Sequence, residues 1–308
     1  MYLNPIVKKD VKVQSRSMKI CWGVFAYELI LALVYFLAMS VIQNTRMYST
    51  ENIYSYIVWL YPVLAVTQLV ILGMVVPVRT ASSISGEKER QTFDIMMTTS
   101  MSPFSIILGK VMTAIVQSMF YVVASMPIMA LPFIIGGMSW AYLFLFLGIA
   151  VLVALFSASI GIFCSSVCKK SISAVILSYV FYLVFFLGTA VPPLVYSAIL
   201  SNMRYNLLSV PQIYVSIEAN FYLSLLFNPA VYLVEFFSRV MAGESVVNTL
   251  ATINGGTKNM GPINLVATGN RWMILSTILF VGVSLLFLWL ASKLINPIKG
   301  RKKRGGHR

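Results

Sequence analysis

Histidine occurs once, as His307 in the C-terminal tail, so neither a Ser-His dyad nor a His-ligated metal can be assembled within the apolar body of the chain. The three cysteines, Cys21, Cys164 and Cys168, lie in or beside apolar segments and imply no disulfide framework. No Gly-x-x-x-x-Gly-Lys-Ser/Thr occurs. The one Gly-Lys pair, Gly109-Lys110, runs into Val111 and lacks the upstream glycine, so the chain carries no phosphate-cradling loop. Glu28 is the only ionisable residue well inside an apolar segment, and a single acid is too few for a paired-carboxylate protease. The densest polar chemistry is Glu87-Lys88-Glu89-Arg90, followed by Thr92 and Phe93. Such a cluster forms ion pairs and docking contacts rather than breaking bonds.

The chain has 308 residues, 59% hydrophobic and 10% charged, with a formal charge of +14. Its mean hydropathy is +0.85. Soluble domains run near one-quarter charged, so there is too little polar surface here to cover a soluble core. The composition predicts an all-α integral membrane protein. Six apolar runs reach the roughly 20 residues that a bilayer core of about 30 Å requires: Trp22–Ile42, Ile53–Val78, Val111–Ile135, Trp140–Val167, Ile172–Ile199 and Trp272–Leu294. Residues 1–21 are expected to be a cytoplasmic interfacial helix, with a solvated basic arm as the alternative. Residues 22–295 form the membrane domain, and 296–308 a basic cytoplasmic tail.

Six spans place both termini on one side. Eighteen Lys and Arg fall on the side of the termini and five on the other, so the positive-inside rule puts both termini in the cytoplasm. The basic tail then faces anionic lipid headgroups, and nucleic acid is not expected as a partner. The long segments are 79–103 inside and 200–271 outside, and function is expected in them.

In the inner segment, Ser85 or Gly86 is placed to cap a short helix with Glu87 and Glu89 in its first turn. Phe93, Met96 and Met97 give that helix an apolar side, and Ser102-Pro103 starts a new helix with serine as N-cap. The run Ser85–Lys110, with Glu87-Lys88-Glu89-Arg90, then Ser102-Pro103 and Gly109-Lys110, closely resembles the signature of ABC-2 type transporter permeases. Asn4-Pro5-Ile6 and Asn228-Pro229 resemble further elements of that family. Two departures are visible: Gln91 stands where glycine is usual, and Phe93–Met97 is less leucine-rich.

The resemblance implies that residues 87–98 form an amphipathic cytoplasmic coupling helix docking into a separate ATPase subunit, with Glu87, Lys88, Glu89, Arg90, Thr92 and Phe93 at the contact or supporting it. An alternative role for Glu87 and Arg90 is pairing with each other on the helix. The resemblance further implies that ATP and magnesium reside on the partner, with no cofactor in this chain, and that two permease chains assemble in the plasma membrane.

Glu28, Tyr179, Tyr182 and Phe186 are candidates for a translocation pathway, while the small residues Ser157, Ala158, Ser159, Gly161, Ser165 and Ser166 form a packing face. The apolar arms around Asn228-Pro229 are too short to cross a bilayer and are expected to form an outer re-entrant or surface helical hairpin. The function expected is a permease subunit of an ATP-driven exporter of amphipathic or hydrophobic cargo such as peptide, lipid or drug. The alternatives are a sodium-extruding permease and, in another class, an ATPase-independent secondary transporter.

Overall fold

A computed structural model describes residues 18–46, 57–93, 102–137, 139–206, 223–242 and 270–295, together with Val7, Lys12 and Val246. Most of the expected N-terminal arm, the basic tail, residues 94–98 of the expected coupling helix and most of the outer segment lie outside these. Among the described residues the chain is helical and contains no strand. The helices are α1 (Met18–Arg46), α2 (Leu60–Glu89), α3 (Pro103–Ala124), α4 (Met126–Gly136), α5 (Ala141–Val167), α6 (Ser171–Leu183), α7 (Thr189–Asn206), α8 (Pro229–Ala242) and α9 (Arg271–Ile295). Six helical segments are long and apolar enough to cross a membrane, and they lie in the six expected regions.

The chain divides into two units, residues 1–179 with 283–308, and residues 180–282. In the first, α2 packs chiefly against α5. The small-residue face works as expected: Ser157, Ala158, Ser159 and Gly161 are buried, and a Cβ at Gly161 would run into the Thr80 hydroxyl and lie 3.1 Å from the Pro77 carbonyl. Close backbone approach replaces hydrophobic drive between helices in lipid. Below this contact, Val76, Ile84, Ile107, Val111, Ala158, Ile162, Leu288 and Ala291 form one buried cluster joining α2, α3, α5 and α9.

Three boundaries differ from the sequence reading. First, α2 does not end at Val78, and Ser85 and Gly86 do not cap a new helix; α2 continues to Glu89. Along its polar stretch the hydroxyls of Ser82, Ser83 and Ser85 donate to carbonyls three or four residues back, and the extension is tied to α5 by the amides of Ile84 and Ser85, which both donate to Ser165 Oγ. Second, the expected third span breaks at Ser125. Pro127 has no N–H to continue the ladder, and Ser125 Oγ is held by Gln68 Nε2 of α2 at 2.7 Å.

Third, the fifth expected span, Ile172–Ile199, is not uniformly α-helical, although Pro192-Pro193 do not interrupt it. A π-helical turn, Val184–Gly188, runs directly into α7, which carries both prolines inside it. Each proline leaves one carbonyl of the preceding turn without its amide partner. Within this second unit, the Thr189 carbonyl, which Pro193 cannot serve, accepts from Ser224 Oγ at 2.8 Å.

Asn228 joins the π-turn, α7 and α8 within the second unit. Its Oδ1 accepts from the Ala230 and Val231 amides at 2.9 and 3.3 Å, capping α8, while its Nδ2 donates to the Phe186 carbonyl and Thr189 Oγ1, both at 2.9 Å. A 3-10 turn, Leu223–Phe227, leads into this cap. At 14 residues, α8 is about 21 Å long and too short to cross about 30 Å of hydrocarbon. It buries Tyr232, Phe236 and Phe237, and its buried Glu235 is neutralised by Arg239 at 2.6 Å.

Candidate functional site

The end of α2 is built from the charged motif. Its last three residues are Glu87, Lys88 and Glu89, and the chain leaves through a Schellman turn. The Gln91 amide donates to the Lys88 carbonyl at 3.2 Å and the Thr92 amide to the Glu87 carbonyl at 3.0 Å. This turn requires a left-handed residue at Gln91, whose φ is +59°. That is the position where the resembled signature carries glycine, and only glycine takes this conformation without steric cost. Replacing Gln91 with glycine should therefore stabilise the protein by about 1 kcal/mol, read as a raised melting temperature in detergent. A lowered melting temperature would contradict the turn.

Each charge has a defined place. Glu87 Oε1 accepts from Lys110 Nζ of α3 at 2.8 Å, and both side chains are partly buried. The pairing of Glu87 with Arg90, raised as an alternative from spacing, is replaced by this bond between helices. Lys88 turns inward to the carbonyls that terminate α5: it donates to Ser166 O and, at 3.3 Å each, to Ser165 O and Cys168 O. Those carbonyls have no partner within their own helix, and the helix dipole favours a cation there. Lys88 Nζ also lies 5.7 Å from the centroid of the Phe93 ring, which packs against the buried cluster. Glu89 Oε2 accepts from Ser171 Oγ at 2.8 Å and from the Ser171 amide at 3.3 Å, at the start of α6. Arg90 and Thr92 are exposed; the Thr92 hydroxyl donates to the Glu87 carbonyl at 3.3 Å. As the sequence indicated, Ser102 caps α3, accepting from the Ser105 amide at 3.3 Å, with Pro103 beside it.

The motif thus divides. Glu87, Lys88 and Phe93 tie α2 to its neighbours from partly buried positions, Arg90 and Thr92 are exposed, and Glu89 does both, lying on the exposed rim while bonded to Ser171 of α6. The spacing of the motif gave no sign of Lys110, Ser171 or the α5 carbonyls as partners, because these bonds join residues 23 to 82 positions apart. Lys110 was visible in the sequence only as half of a Gly-Lys pair.

The remaining candidates are distributed. Glu28 is partly buried on α1, and its Oε1 has no hydrogen-bond partner among the described residues. Tyr179 donates to the Met74 carbonyl at 2.9 Å. In the second unit, Tyr182 is partly buried, Phe186 is 42% exposed and its carbonyl holds Asn228, and Pro229 opens α8.

Apolar helices of spanning length, with a charged helix terminus at one end and no metal-binding cluster among the described residues, define a multi-pass membrane protein. A family model described as ABC-2 family transporter protein matches residues 38–293, and the chain belongs to that family. Its members are membrane transport subunits whose family implies an ATP-binding partner. Among curated proteins, none matches the chain.

Proposed function

We propose that this chain is the permease subunit of an ATP-driven exporter in the plasma membrane, with both termini in the cytoplasm and a second permease chain beside it. Its cargo is amphipathic or hydrophobic, of the peptide, lipid or drug type, and ATP and magnesium are held by a separate ATPase subunit. The observation that carries this reading is the divided motif. The exposed rim of Glu89, Arg90 and Thr92 receives the ATPase, and Glu87, Lys88 and Phe93 join that rim to α3, α5 and the buried cluster. A helix end held at several places moves with the helices that hold it, so a push on the rim becomes a rigid-body shift. Residues 87–98 remain the coupling element in this proposal, with α2 itself supplying its first turn.

Purification of the tagged full-length chain from its native membrane tests the reading: an ATP-binding subunit should accompany it. A chain that transports without any such subunit would favour a secondary carrier. Glu28, Tyr179, Tyr182 and Phe186 are proposed to border the pathway, and Asn228-Pro229 to cap its outer end. Glu28→Gln should alter transport while assembly persists, and wild-type transport in that variant would remove Glu28 from the pathway.

A further inference from the structure

The first unit has a partly open cavity of about 260 Å3 between α1, α2 and α3. Its wall is apolar along Ile30, Ile71 and Val75, and Arg79, Gln117 and Tyr121 supply polar groups. Arg79 donates to the Tyr121 hydroxyl, and its guanidinium carbon lies 5.0 Å from the centre of that ring. Among the described residues no carboxylate pairs with Arg79; the ion pairs formed there are Glu87 with Lys110 and Glu235 with Arg239. Gln117 is 6% exposed, and its Nε2 has no hydrogen-bond partner among the described residues. A cation with no counterion among the described residues and a buried amide with no acceptor among them are both costly beside lipid, and both are relieved by one anionic oxygen group.

Depth and shape narrow the anion. Arg79 is about 28 Å of helix beyond Leu60, close to the thickness of the hydrocarbon core, which places it at headgroup level on the side of the Glu87 end. Val75 and Ile71 precede it by four and eight residues, so one face of α2 runs from the guanidinium toward the midplane as an apolar stripe. Gly23 keeps the polar end open: a Cβ there would lie 2.8 Å from the Tyr121 hydroxyl and 3.9 Å from an Arg79 guanidinium nitrogen. The volume falls below the roughly 300–1,000 Å3 of sites that enclose a drug-sized ligand. A headgroup and the first part of a chain fit, with the remainder in the bilayer.

We propose that this cavity binds an anionic phospholipid of the leaflet bordering the Glu87 end, with its phosphate on Arg79 and the Gln117 amide and the start of an acyl chain along Ile71 and Val75. No described carboxylate pairs with Arg79 or offers itself there to a choline or ethanolamine, so a net negative headgroup is selected over a zwitterionic one.

The test uses the full chain in detergent, titrated with phosphatidylglycerol, phosphatidylcholine or inorganic phosphate and read by native mass spectrometry and melting temperature. Wild type should retain phosphatidylglycerol in preference to phosphatidylcholine and be stabilised by it. Arg79→Gln should weaken that binding by roughly tenfold or more, the scale of a charge-assisted hydrogen bond. Ile71→Trp, which fills the apolar wall and leaves the guanidinium in place, should weaken it as well, and carries the test if Arg79→Gln does not fold. Equal retention of phosphatidylglycerol by wild type and either folded variant, or no preference over phosphatidylcholine, would overturn the proposal. Stabilisation by inorganic phosphate equal to that by the lipid would overturn it in favour of a free-anion site.

Discussion

Reversing the exposed charge at Arg90, as Arg90→Glu, should leave the chain inserted and folded while abolishing substrate-stimulated ATP hydrolysis in the assembled complex. Arg90 is exposed, and its backbone amide, which donates to the Gly86 carbonyl, is retained in the variant, so the Schellman turn persists. What changes is the charge of the proposed docking rim, from one carboxylate and one guanidinium to two carboxylates. A like charge placed against an interface costs several kcal/mol and suppresses docking. Glu87→Gln is the informative companion, because Glu87 faces Lys110 within the chain. It should lower stability while sparing docking, whereas Arg90→Glu should do the reverse. Unchanged stimulation in Arg90→Glu would remove that residue from the docking face.

The second large effect concerns folding. Gly161→Ala should destabilise the protein by about 1–3 kcal/mol, the usual cost of overpacking, and Gly161→Leu should prevent recovery of monodisperse protein. The obstacle is specific: the added Cβ meets the Thr80 hydroxyl and sits 3.1 Å from the Pro77 carbonyl, which is backbone and cannot rotate away. Gly148, in the same helix, has nothing within 4 Å of a built Cβ, so Gly148→Ala should be neutral or slightly stabilising. Thr80→Ala combined with Gly161→Ala should recover part of the loss, since it removes the first obstacle, and a purely additive double variant would contradict the contact. Melting temperatures of wild type, Thr80→Ala, Gly161→Ala and the double variant decide it.

Much of this architecture was legible in the residues because the bilayer imposes a length rule, and six apolar runs meet it whatever their packing. The Ser102-Pro103 start of α3 was legible for a local reason: cap and proline act within one turn. The small residues of α5 were readable as a packing face, but their partner was not. The continuation of α2 to Glu89 could not be read, since Thr80 to Ser85 look like a loop until Ser165 of α5 reaches their amides. The π-turn at Val184–Gly188 was hidden similarly, because the Phe186 carbonyl is engaged by Asn228, 42 residues away. At the candidate site the motif itself was visible. Its division into tying and exposed residues depends on Lys110, Ser171 and the end of α5, none of which spacing could supply.

A photo-reactive amino acid placed singly at Thr92 or at Trp140 tests the central claim most directly, because both positions are exposed and Trp140 lies at the α4–α5 turn expected on the outer face. After irradiation of the complex in native membranes, the account predicts a covalent adduct with an ATP-binding subunit from position 92 and none from position 140. Failure to cross-link from position 92 while the subunit still co-purifies, or an adduct from position 140, would contradict it.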